Sequence, residues 1–169
     1  MQTTATTTAV SPAGPAAMTH PRGTSAAAGM LRRGAVLTAL AAVLFPRLNA
    51  VLHEHQAFWQ LDTEAAVLIP AIIAATVALF ALVGRWAVHH HGAANRSAKA
   101  GLTCAILALV GVVAFFVSTP IIVGGLALTL GLEGKQRAAL NGKRRHAIAA
   151  IALGALAVLA GAGIWLAGP

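Results

Sequence analysis

Five apolar stretches, separated by loops whose charge alternates in sign, constrain this chain more than any other feature. They lie at about 34–52, 65–84, 100–117, 120–134 and 147–167. A helix rises about 1.5 Å per residue, so ~20 apolar residues cross the ~30 Å hydrocarbon core of a bilayer. The pattern predicts an all-α, polytopic helical membrane protein with four to five transmembrane segments, five being favoured. Composition argues against a water-facing domain: 58% of the residues are hydrophobic and 9% are charged, whereas a soluble domain carries about 25% charged residues.

The formal net charge of +8 reads as a topology signal rather than as a nucleic-acid footprint, because no basic patch is interleaved with aromatics on a soluble module. Arg32 and Arg33 precede the first stretch, Arg85, Arg96 and Lys99 follow the second, and Lys135, Arg137, Lys143, Arg144 and Arg145 follow the fourth. Three of the four acids, Glu54, Asp62 and Glu64, sit between the first two stretches. Short basic loops stay cytoplasmic, which predicts the N-terminus inside and the C-terminus outside, in a bacterial plasma membrane. On this topology Trp59, Phe116 and Trp165 fall at outer ends and Trp86 at an inner one, the depths that aromatic residues prefer.

Residues 1–30 form a different material, rich in Thr, Ala, Pro and Ser with Arg22 as their one charge. They are expected to be a disordered tail. Met30, followed by Leu31-Arg32-Arg33, would serve as a start in its own right, so the tail can be an over-extension of the reading frame. The same residues raise a signal-peptide reading. Leu48 and Arg47 spoil the small-residue cleavage pattern near Ala50, so an uncleaved first helix is favoured. Residues 31–169 are read as a single transmembrane domain.

The region 100–132 is too long for one ordinary crossing and is interrupted at Ser118-Thr119-Pro120. Proline disfavours helix just before it and starts a new helix well. Basic residues flank both sides, so an even number of crossings is expected, as a helical hairpin turning at Ser118–Pro120. A re-entrant half-helix over 120–131, or one long kinked helix, are the alternatives. The pair Gly124-Gly125 would serve as a flexible joint, a close contact with the third helix, or the mouth of a re-entrant element.

Small residues recur three or four residues apart: Ala71 with Ala75, Ala74 with Ala78, and Ala150 through Gly154, Ala157 and Gly161. In lipid such faces drive helix association by close backbone approach. They are expected to join helices of one protomer, with self-association through the final helix as the alternative.

The C-terminal half has a recognisable order. A Pro-led, Gly-containing segment from Pro120 to Gly131 ends in the basic turn 135–145, and the helix Ala147-Ile148-Ala149-Ala150-Ile151-Ala152-Leu153-Gly154 follows. Over about 98–166 this resembles a small multi-pass membrane domain of unknown function found in actinobacterial proteins, with Ala150 where that pattern usually has glycine. The resemblance implies an accessory membrane module and brings no activity, cofactor or catalytic residue.

Ligand-type side chains gather in one loop, His53-Glu54-His55 with Asp62 and Glu64. His53, His55 and Glu64 are weak zinc candidates, since the spacing matches no H-E-x-x-H pattern. A solvated outer loop is the expected reading. His89-His90-His91 lies on the other side of the membrane in this topology, and Cys104 is the lone cysteine, expected to be an inert thiol. Arg47, beside Asn49 and after Pro46, is the single deep charge, with Glu54, Asp62 or Glu64 as expected partners. No nucleophile–base pair or phosphate-cradling loop is present, so no enzyme activity and no cofactor are expected. Two readings remain. One is a structural or accessory protein that packs with itself or another membrane protein. The other is a small pore or transporter with Arg47 in an outer vestibule and a re-entrant 120–131 segment.

Overall fold

The computed structural model describes residues 22–55, 57, 63–89, 95–113 and 118–167. Asp62, Trp59, Phe115, Phe116, His90 and His91 lie outside the described residues, as does 1–21 of the expected tail. Everything regular among the described residues is helical. The elements are α1 (Arg22–His53), α2 (Thr63–Leu79), a π-turn (Phe80–Gly84), α3 (Arg85–His89), α4 (Arg96–Val113), α5 (Thr119–Asn141) and α6 (Arg144–Ala167).

Helix α1 starts earlier than its apolar run. Residues 22–30, expected in the tail, are its first turns. Alanine is the best helix former, and here Ala27 and Leu31 are buried in a cluster with Phe80, Ala87 and Val88. That tertiary contact overrides the low-complexity composition. The second apolar stretch is one helical path in which the π-turn joins α2 to α3.

The expected hairpin is present. Gly134 lies against Ala98, Gly101 against Ala127 and Gly131, and Gly111 against Thr119, so α4 and α5 run antiparallel. This overturns the single kinked helix over 100–132. Helix α5 is continuous for 23 residues, about 34 Å at the helical rise, and Pro120 sits in its first turn. It runs past the expected end at 134 and stops where Gly142 takes a positive φ of 69°, a conformation that glycine adopts without penalty.

Helix α6 returns along α5, as contacts of Gly131 with Ala147, Gly124 with Gly154, and Gly161 with Pro120 show. Helix α1 also runs antiparallel to α5, with Gly34 against Thr129 and Gly125 against Thr38. Leu31 of α1 meets Gly84 of the π-turn. The five helical paths therefore alternate in direction around α5, whose Ile121, Leu126 and Leu130 are fully buried.

Three helical stretches among the described residues are long and apolar enough to cross a membrane: Ala26–His53, Thr63–Val88 and Arg144–Ala167. Helices α4 and α5 carry charges within their ends, at Arg96 and Lys99 and at Glu133, Lys135 and Arg137. The α5 charges lie on the helix most enclosed by protein.

Candidate functional site

The interior is mainly apolar, and its buried polar groups mark where the helices are tied to one another. All but Thr76, whose hydroxyl donates to the Ile72 carbonyl of its own helix at 2.8 Å, fall into three sets along the bundle.

The first set lies at the end where α1 and α6 finish and α5 begins. Arg47 is only 7% exposed, and its guanidinium donates to the Ala57 carbonyl at 3.1 Å. Asn49 donates from Nδ2 to the Trp165 carbonyl, and His53 donates from Nε2 to the Leu166 carbonyl at 3.2 Å. Carbonyls in the last turn of a helix lack intrahelical partners, and α1 supplies donors to two of those in α6. A further bond repairs a defect. Pro46 has no N–H to give the carbonyl four residues earlier, that of Ala42. The Ser118 hydroxyl donates to that carbonyl at 3.4 Å. Ser118 precedes α5 with φ 60° and makes no side-chain cap on its own helix, leaving its hydroxyl for α1.

The middle set is a pair of reciprocal notches between α1 and α5. A Cβ built on Gly125 would lie 2.7 Å from Cγ2 of Thr38, and one on Gly34 would lie 2.8 Å from Cγ2 of Thr129. Each threonine occupies the space of a missing side chain on the other helix. Thr129 also donates to the Gly125 carbonyl at 2.9 Å, the local bond that lets a hydroxyl sit in an apolar helix.

The third set closes the opposite end around Asn95, which is 2% exposed. Its Oδ1 accepts from the Ser97 hydroxyl at 3.0 Å and from the Ala98 N–H at 3.2 Å, capping α4. Its Nδ2 donates to the Gly134 carbonyl at 2.8 Å and the Gly142 carbonyl at 3.1 Å. One amide thus ties the start of α4 to the last turns of α5. Beside it Glu133, 5% exposed, accepts from Arg137 at 2.6 Å, and Arg137 reaches the Val88 carbonyl at 3.4 Å.

Several expectations change on this geometry. Gly124 faces Gly154, Ala157 and Val158 of α6, and Gly125 faces Thr38 of α1, rather than the third helix. Two adjacent residues are ~100° apart on a helix, so one pair can serve two neighbours. Pro120 packs against Gly161. Glu133 is a second buried charge, paired with a cation one turn on. Among the described residues no three His, Cys, Asp or Glu side chains converge as metal ligands. His53, His55, Glu54 and Glu64 are all exposed, and His53 is directed to the Leu166 carbonyl. Asn95 is absent from the expected site residues, although an Asn just before a helix is a standard N-cap signal. The Thr38 and Thr129 notches have no local signal.

The fold and these sites define a helical bundle with three membrane-length helices among the described residues. No protein-family model matches the chain, and neither a curated protein nor a solved structure matches it.

Proposed function

We propose that this is a small plasma-membrane protein of five crossings, with the N-terminus inside and the C-terminus outside, that acts as an accessory subunit. It catalyses no reaction and associates, with a second copy or another membrane protein, through the alanine face of α2. The observation that carries this reading is a contrast between two small-residue faces. On α6, Ala150, Gly154, Ala157 and Gly161 are buried. On α2, Ala71, Ala74, Ala75 and Ala78 share one face by their spacing, and all four are exposed.

The topology is supported by charge. The basic end of the bundle collects Arg32, Arg33, Arg85, Arg96, Lys99 and the turn 135–145, while Arg47 is the one Lys or Arg in the segments of the other end. That asymmetry is the positive-inside pattern. Helix α4, with 18 residues, reaches ~27 Å, so it and α5 are close to the core thickness of ~30 Å. The resemblance of 98–166 to an accessory membrane domain points the same way. The pore reading draws less support, since 120–131 belongs to a continuous helix and Arg47 is held by Ala57.

Association is tested by cross-linking in native membranes, with Ala75→Cys in a Cys104→Ser background. A cross-linked band is expected, at twice the chain mass for a second copy or at another mass for a different partner. It should vanish when Ala74 and Ala78 are both changed to Leu. Absence of any cross-linked species would remove the α2 face from the account.

A further inference from the structure

Between α1 and the path from α2 to α3 runs a groove of about 690 Å³, within the ~300–1,000 Å³ common for small-molecule sites. One wall is a stripe of α1 that includes Leu31, Ala35, Ala39 and Val43; the other includes Ile73, Val77 and Phe80. Two charged residues line it, Arg32 and Arg85. They belong to the same end of the groove, because Leu31 packs on Gly84 across the interface and each arginine follows one of that pair in sequence. Both are exposed, and among the described residues no carboxylate pairs with either.

We propose that this groove holds one acyl chain of an anionic phospholipid whose phosphate is bound by Arg32 and Arg85. The inference rests on membrane insertion and is independent of the α2 contact proposed above. Three observations converge on this occupant. From Arg32 to Val43 the α1 wall descends eleven residues, about 16 Å, close to one leaflet's half of the ~30 Å hydrocarbon core. The remaining lining is aliphatic or aromatic, a surface that an acyl chain covers and water does not. The arginines stand at the end where Trp86 is exposed, the depth of the headgroups. A guanidinium binds phosphate through two parallel N–H donors, so two guanidiniums at one mouth select for a charged headgroup over a net-neutral one. Basic pockets between membrane helices on the cytoplasmic side recognise anionic lipid headgroups by this chemistry.

Native mass spectrometry of the full chain released from detergent provides the test, with phosphatidylglycerol and phosphatidylcholine of identical acyl chains as probes. An arginine close to an anionic headgroup favours it about fivefold, so the pair predicts about twenty-five-fold preferential retention of phosphatidylglycerol, one molecule per protomer. Changing both Arg32 and Arg85 to Gln should bring retention down to the phosphatidylcholine level. Arg96→Gln, at the same end but outside the groove, should leave it unchanged. Ala39→Phe fills the groove while keeping both charges and should expel either lipid. Equal retention of the two lipids by the wild-type protein would overturn the proposal without recourse to a variant. So would an Arg96→Gln loss as large as that of the double change, or unaltered binding in Ala39→Phe. A monomer that carries phosphatidylglycerol would uphold the proposal even where the α2 association fails, because the same spectra read the oligomeric state.

Discussion

The triplet α4–α5–α6 and the layer made by α1 and α2 are built from the same Ala-rich alphabet, yet they pack differently. In the triplet, backbone meets backbone. A Cβ on Gly154 would stand 2.9 Å from the Gly124 carbonyl oxygen and 3.0 Å from the Leu128 nitrogen, and one on Gly134 would be 2.9 Å from the Ala98 backbone. Helix α2 has alanines on the corresponding stripe and no glycine before the π-turn, and a groove runs between it and α1. Four-residue spacing of small residues is therefore not enough to name an internal face. In this molecule the glycines decide, because only their missing Cβ lets two helices come close enough to exclude lipid.

The contrast can be broken at graded cost. The largest effect is expected from Gly154→Val, whose side chain would collide with backbone that has no rotamer to move. Overpacking costs ~1–3 kcal/mol where neighbours yield, and this site should reach or exceed the top of that range. Denaturant titration of the purified protein in detergent measures it. Asn95→Ala comes next, at about 3 kcal/mol, because it removes an N-cap and strips donors from the Gly134 and Gly142 carbonyls. Asn95→Asp keeps the cap oxygen and loses the donors, so it should fall between the wild type and Ala. If Asp equals the wild type in the same titration, the tie to α5 contributes nothing.

The α1–α5 notch should be weaker. Gly125→Ala is expected to cost ~1–2 kcal/mol, since the side chain of Thr38, and not backbone, stands in the way of the added Cβ. Thr38→Ala should relieve most of that loss. A double-mutant cycle reads a coupling of at least ~0.5 kcal/mol for residues in contact, and additivity would show that the two do not share a space. The smallest effect on stability belongs to the paired change of Ala74 and Ala78 to Leu. On an exposed face it should move the unfolding free energy by no more than ~0.5 kcal/mol, while the cross-link through Ala75→Cys disappears.

Helix positions and the charge asymmetry were legible in the sequence because both follow from local composition. The hairpin at Ser118–Pro120 was legible for the same reason, as proline acts on its immediate neighbours. Which faces meet was not. Thr38 and Gly125 are far apart along the chain, and their fit depends on the register of α1 against α5, which no local pattern encodes. The Ser118 hydroxyl looks like an ordinary helix cap until α1 brings Pro46 and its orphaned carbonyl alongside. The Glu133–Arg137 pair has four-residue spacing in the sequence, but the burial of Glu133 depends on which helices enclose α5. Arg47 stands out in the sequence as a charge deep in an apolar stretch, while its link to the Ala57 carbonyl depends on how the chain turns after α1.

The most direct test of the account is the side of the membrane on which each end of α6 lies. Reporters active only inside or only outside the cytoplasm, fused after Asn141 and after Pro169, read the two ends separately. The account predicts Asn141 inside and Pro169 outside, with the basic end of the bundle on the cytoplasmic face. Both reporters on one side, or the reverse assignment, would contradict it.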